Sequence, residues 1–199
     1  MVGTVRSNYE RICAEVGPEV TVVAATKYVS PDDLGVLAAA GVSVVGENRL
    51  QDLEAKHALH GNTFRWHFIG HLQSRKARDV STYCELCHSL ASTSAARRLT
   101  IPALVEVNLS DEESKSGVAP EALSGFLSEV AGLGVDVRGL MTMPPLAPDP
   151  QASRPYFRRL RELAAEHGLE QLSMGTSQDY QVAVEEGATL VRVGSVLYG

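Results

Sequence analysis

Regular alternation of strand and helix patterns predicts an α/β fold: a single (β/α)8 TIM barrel with an extra N-terminal helix. Three observations carry it. Short apolar runs recur eight times, with amphipathic stretches between them. Each run is rich in valine, isoleucine or leucine along its length, as expected for parallel strands covered on both faces. The 199 residues also supply roughly 25 per unit, the small end of the range for such a barrel. The alternative is an open doubly wound sheet, but its marker, G-x-G-x-x-G after the first strand, is missing, and Gly17 precedes that strand. No linker or low-complexity tract divides the chain, so residues 1–199 are expected to form one domain.

In order along the chain, helical periodicity covers residues 4–16. The first strand is expected over 21–27, ending in Ala25-Thr26-Lys27. Ser30-Pro31-Asp32-Asp33 then offers an N-cap, a proline at the first helical position and acids in the first turn, and Gly41 ends that helix. Strands two to five are expected over 42–47, 64–69, 84–89 and 103–108. Pro120 to Leu133 reads as a helix before the sixth strand, 135–141. The proline-rich stretch from Pro144 to Pro155 is a loop within the pattern. Arg154 to His167, followed by Gly168, is the next helix. The seventh strand follows over 169–174, and Gly187 closes a helix before the eighth, 189–193.

Composition narrows the function classes. Apolar residues make up 44% of the chain, enough for a sizeable core. A net charge of −6 argues against nucleic acid or an anionic membrane as the main partner. No apolar stretch reaches membrane-span length, and Met1 to Cys13 lacks the features of a signal peptide. A soluble cytoplasmic protein is therefore expected, and it is taken to be a monomer. Cys13, Cys84 and Cys87 are an odd set, which argues against a disulfide framework. Cys84-Glu85-Leu86-Cys87-His88 matches the haem-attachment pattern but falls within a strand run, so two ordinary cysteines are expected. His67 and His71 are four apart, yet His67 ends a strand and no carboxylate motif accompanies the pair, so a metal site is not expected.

A barrel of this kind gathers its chemistry at the C-terminal ends of the strands. The first strand delivers Lys27, one of four lysines; the other three lie in polar sequence surroundings. Desolvation or a cationic neighbour can turn such a lysine into a neutral amine nucleophilic toward carbonyls. The seventh strand delivers Ser173-Met174-Gly175-Thr176-Ser177 and the eighth Arg192-Val193-Gly194-Ser195. Glycines, hydroxyls and free backbone N–H groups at a helix start make a phosphate cup. An amine for a Schiff base, a phosphate cup and an arginine near both point to pyridoxal 5'-phosphate (PLP). In that arrangement Arg192 would face the ring nitrogen and donate a hydrogen bond to it, giving a weaker electron sink than an acid would.

These residues, with Gly46-Glu47-Asn48, Trp66-His67-Phe68-Ile69-Gly70, Leu72-Gln73, Lys76, Ser114-Lys115-Ser116-Gly117, Arg138-Gly139-Leu140-Met141 and Tyr198-Gly199, resemble the YggS/PROSC family of PLP homeostasis proteins over nearly the whole chain. The resemblance implies a PLP-bound barrel similar to the N-terminal domain of alanine racemase. It makes Lys27 the Schiff-base lysine and sets Asn48 and Met141 beside the ring. Ser173, Gly175, Ser177, Gly194 and Ser195 would form the phosphate site, with Arg192 at the ring nitrogen. Arg75 and Thr176 depart from the usual family residues, and the stretch from His88 to Pro102 is short, which implies a stunted helix there.

The function implied is intracellular PLP (vitamin B6) homeostasis by a non-catalytic carrier, with apo PLP-dependent enzymes as candidate partners. The alternative is an amino-acid racemase or related PLP enzyme. A racemase of this fold takes a second base from a further domain, and no tyrosine stands in an obvious replacement context in the sequence.

Overall fold

The computed structural model describes residues 2–110 and 116–199, so Lys115 and most of the polar loop before Ser116 lie outside the described residues. Helix α1 (Val2–Val16) precedes eight parallel strands: β1 (Thr21–Ala25), β2 (Val44–Glu47), β3 (Arg65–Phe68), β4 (Leu86–Leu90), β5 (Ala103–Glu106), β6 (Val137–Met141), β7 (Gln171–Thr176) and β8 (Leu190–Val193). They pair in sequence order and close into a barrel, with Val22, Val23 and Ala24 of β1 opposite Val191, Arg192 and Val193 of β8. All eight expected strands form, most of them shorter than expected. The chain leaves the sheet after Ala25, although the Thr26 N–H still reaches Gly46 O at 3.1 Å.

The helix signals also translate into structure. Ser30 Oγ accepts the Asp33 N–H at 3.1 Å and donates to the Asp33 carboxylate at 2.7 Å, capping the turn that leads into α2 (Gly35–Ala39). Then come α3 (Leu50–His60), α4 (Ala77–Tyr83) and α5 (Thr93–Ala96). The four-residue α5 is the stunted helix implied by the short 88–102 stretch, and Ser92 caps it. The remaining helices are α6 (Leu123–Gly132), α7 (Arg154–Glu166), α8 (Tyr180–Glu185) and α9 (Ser195–Tyr198). Among the described residues no helix is long and apolar enough to cross a membrane.

Successive strand residues face opposite sides of the sheet, and this splits the core in two. Val22, Ala24, Val45, Trp66, Phe68, Leu172 and Val191 belong to one large buried cluster with the helices. Val23, Val44, Leu86, Leu104, Met141 and Leu190 form a separate cluster inside the barrel. The interior also carries buried polar groups from alternating positions of β3, β4, β7 and β8: His67, His88, Ser173 and Arg192. A barrel interior is normally filled by branched apolar side chains. Polar groups there need partners, and these four find them in one another.

Candidate functional site

At the C-terminal mouth lies a cavity of about 430 Å³, within the range of small-molecule sites. Lys27, Asn48, Ser177, Arg192, Gly194 and Ser195 all line it. Lys27 sits two residues beyond β1 and is exposed, with Nζ 4.8 Å from the centroid of the exposed Tyr28 ring. The sequence put a desolvated lysine at the end of a buried strand. Instead Thr26 is the buried residue and Lys27 opens into the cavity, because the strand ends at Ala25.

Among the described residues the buried lysine is Lys56, which the sequence placed in polar surroundings. Its side chain on α3 is 3% exposed, and Nζ donates to the Glu47 carboxylate and, at 2.7 Å, to Thr26 O. Glu47 also accepts the Thr26 hydroxyl and the Asn48 N–H. One ion pair thus ties the ends of β1 and β2 together and fixes the backbone on either side of Lys27 and Asn48. Gly70 completes this corner: a Cβ there would lie 2.0 Å from Asn48 O, so only glycine permits the approach. Asn48 Oδ1 is buried and has no hydrogen-bond partner among the described residues.

The opposite wall is built by the ends of β7 and β8. Ser177 Oγ accepts the backbone N–H groups of Gly194, at 2.9 Å, and Val196, at 3.4 Å. Asp179 shapes the turn by accepting from Thr176 N at 2.7 Å, Thr176 Oγ1 at 3.0 Å and Ser153 Oγ at 2.7 Å. Gly175, at φ +89°, does not line the cavity. A Cβ on it would meet Ala183 Cβ at 2.6 Å and Tyr180 Cα at 2.9 Å, so its role is to let α8 pack against the strand. With α8 and α9 only six and four residues long, a long-helix dipole is not available to the cup, which relies on N–H and hydroxyl groups.

Arg192 is 4% exposed. It donates from Nη1 to Ser173 Oγ and from Nη2 to Thr142 O at 3.0 Å. Burial lowers its pKa to about 10 against the opposing pull of Asp179 and Glu106, so it remains cationic at neutral pH. Ser173 does not line the cavity; it lies beneath Arg192 in the barrel interior, because the period-two pattern of β7 turns it inward with its neighbour on β8. Met141, at the end of β6, lines an adjoining lobe of about 400 Å³, and Met143, two residues beyond the strand, lines both lobes.

The family model of the alanine racemase N-terminal domain matches residues 2–199. A pyridoxal phosphate homeostasis protein of Aquifex aeolicus is 41% identical over 192 residues, covering 88% of this chain and 84% of the relative. One from Escherichia coli is 31% identical, covering 94% and 88%. The chain belongs to the pyridoxal phosphate homeostasis protein family. PipY of Synechococcus elongatus has been solved with PLP bound. It aligns with a TM-score of 0.90 at 31% identity, over 98% of this chain and 100% of PipY. Alanine racemase from Bartonella henselae, with a TM-score of 0.79 at 15% identity and 59% of its chain covered, shares the fold.

The mouth also gathers residues to which the sequence gave no role at the site. Tyr28, Tyr198 and Met143 line the first lobe, and His71, Glu106 and Ser116 the second. Asn48, Ile69, Met143, Pro144 and Leu146 line both. Tyr198 closes the final turn of the described chain, where its hydroxyl donates to Ala25 O at 3.2 Å. Burial and the Glu47 charge raise its pKa. Its signal was its position three residues after Ser195, on the turn that carries the cup. His67 and His71 do not converge, since His67 faces the barrel interior. Among the described residues no group of three metal-ligating side chains occurs, and all three cysteines are free.

Proposed function

We propose that this protein binds PLP in the first lobe of the mouth, holds it through Lys27, and serves PLP homeostasis as a non-catalytic carrier. The carrying observation is that Lys27, Arg192 and the Ser177 and Gly194 turns converge on one cavity. PLP would bring an aldehyde that takes up an amine and a ring that draws electrons from it. The residues present fit such a group. Lys27 supplies the amine. The two turns supply hydroxyls and N–H groups for a phosphate. The orphaned Asn48 Oδ1 has capacity for a ring hydroxyl. Arg192, with five N–H groups and its head fixed by Ser173 and Thr142, has donors left for a ring nitrogen.

Three features favour carriage over turnover. An always-charged arginine donates to the ring nitrogen without protonating it, so carbanion stabilisation is weak. The mouth is also open: Tyr28 is 88% and Leu146 84% exposed, so a cofactor can leave and water can enter. Tyr198, at the rim of the lobe, is committed to Ala25 O with its ionisation pushed up, so it makes a poor second base. Candidate recipients are apo PLP-dependent enzymes, detectable by pulldown with and without bound PLP.

The test is an absorption spectrum with added PLP, then borohydride reduction and peptide mapping. A visible band and pyridoxyl label on Lys27 are expected. Lys27→Ala should lose both while its melting temperature stays within about 2 °C, since the residue is exposed. Label on a different lysine would overturn the assignment. Deuterium exchange at Cα of an added amino acid, absent in Lys27→Ala, would favour the racemase alternative.

A further inference from the structure

The barrel interior carries a line of polar groups that runs back from Arg192, away from both lobes. It begins where Arg192 Nη1 donates to Ser173 Oγ. Ser173 Oγ lies 2.8 Å from His88 Nδ1, and His88 Nε2 lies 2.9 Å from His67 Nδ1. His67 Nε2 lies 3.1 Å from Glu85 Oε1, which also accepts from Arg65 at 2.7 Å. Ser173 and His88 are fully buried, and His67 and Arg192 nearly so. Glu85 directly precedes β4, so the line runs from the C-terminal mouth to the N-terminal one. There Glu85, His67 and Arg65 edge a separate cavity of about 570 Å³.

The two ends fix the direction of every hydrogen bond between them. A guanidinium can only donate and a carboxylate can only accept. Burial lowers the His67 pKa to about 4, and burial with His67 and Arg192 nearby holds that of His88 well below its usual value, so each ring carries a single N–H at neutral pH. Glu85 requires the proton on His67 Nε2. His67 Nδ1 is then bare and accepts from His88 Nε2–H. His88 Nδ1 is bare in turn and accepts the Ser173 hydroxyl proton, which leaves Ser173 Oγ free to accept from Arg192. The opposite tautomers would set a bare ring nitrogen against the Glu85 carboxylate. They would also release the serine proton to turn toward the guanidinium.

We propose that this one-way relay positions Arg192: Glu85 sets its direction, His67 and His88 transmit it, and Ser173 holds the guanidinium for the cofactor. The relay stands on the geometry of the protein alone; its effect on the cofactor rests on Arg192 facing the ring nitrogen. Aligned hydrogen bonds in a low-dielectric interior polarise one another, so a change at Glu85 is felt at Ser173.

Two measurements separate these claims. Long-range proton–nitrogen correlation spectra of the 15N-labelled, cofactor-free protein report which nitrogen of each ring is protonated, with His67→Asn and His88→Asn variants assigning the signals. Both rings should be neutral with the proton on Nε2, and Glu85→Leu, at a half-exposed position, should abolish that single tautomer in His67 and His88. A proton on Nδ1 of either ring in the unaltered protein, or unchanged tautomers in Glu85→Leu, would overturn the relay. The second measurement is the rate of PLP release into excess apo-acceptor, followed by absorbance. Ser173→Ala should release about tenfold faster, the worth of one charged hydrogen bond, and Ser173→Thr should restore most of the loss. Unchanged release in Ser173→Ala beside faster release in Arg192→Ala would refute the positioning role. Unchanged release in both would refute the placement of Arg192, whatever the tautomers show.

Discussion

Lys56→Met gives the sharpest test of how the site corner is held. The Lys56 and Glu47 side chains are 3% and 0% exposed, so neither charge has water to fall back on. Removing the ammonium leaves a buried carboxylate with only the Thr26 hydroxyl and the Asn48 N–H, and leaves Thr26 O without its 2.7 Å donor. Breaking a buried pair by deleting one partner costs about 3–5 kcal/mol. Against a total stability of about 5–15 kcal/mol that is a large share, and in a chain of this size it lowers the melting temperature by roughly 10 °C. Urea unfolding followed by circular dichroism measures it. The double change Lys56→Met/Glu47→Gln should recover at least half of the loss, because the neutral amide can still accept the Thr26 hydroxyl and no bare charge remains. A loss under about 1 kcal/mol in the single variant would mean that the pair behaves like a surface ion pair. A double variant no better than the single would show that the penalty is lost packing instead of a stranded charge. Either result would refute the corner as described.

Other expectations follow from the same geometry. Gly175→Ala forces a side chain into a left-handed backbone and against Ala183 and the Tyr180 backbone. It should cost about 1–3 kcal/mol in urea unfolding and weaken PLP binding by displacing α8, whereas normal stability and binding would show that α8 does not set the cup. Acid should destabilise the protein before the ordinary carboxylates titrate. The folded His67 pKa is depressed to about 4 from the usual 6.5, so the unfolded chain binds more protons below pH 6.5. The stability is fully present above that pH and is lost as pH falls toward 4. His67 alone accounts for about 2 kcal/mol between pH 7 and 5, with His88 adding to it and Glu106, raised by burial, working the other way. Equal urea midpoints at pH 7 and 5 would contradict this.

The barrel was legible because each β-strand is a short apolar run between helix signals, and parallel strands covered on both faces leave just that trace. The strand ends were less legible: Thr26 and Lys27 extend the apolar run, but the turn of the chain after Ala25 is a tertiary matter. Lys27, Ser177, Arg192, Gly194 and Ser195, which the sequence set at strand ends, line one cavity because a closed parallel barrel brings those ends to one mouth. Lys56 was missed because a lysine among His57, Glu54 and Asp52 looks like a solvated helix face, and only the buried Glu47 across the corner makes it otherwise. The interior histidines were noticed only as chance motifs. A strict inside–outside count along β3 and β4 would have put His67 and His88 on the inner face, but their pairing depends on the stagger of those strands. The sequence did not show that Ser173 lies beneath Arg192 for a related reason, since the face a β7 residue takes depends on the register of the closed sheet.

The pairing of β1 with β8 sets the order in which this molecule can come together on the ribosome. Lys27 follows the first strand and Arg192 belongs to the last, so the two sides of the site are neighbours in space and about as far apart as possible in synthesis. At typical elongation rates the edge of β1 waits on the order of 10–30 s for β8 to emerge. Until then neither the cavity nor the buried contacts of Arg192 exist. A small molecule that touches both strands is therefore a clasp across the seam, and its supply can govern how much newly made chain closes before it aggregates.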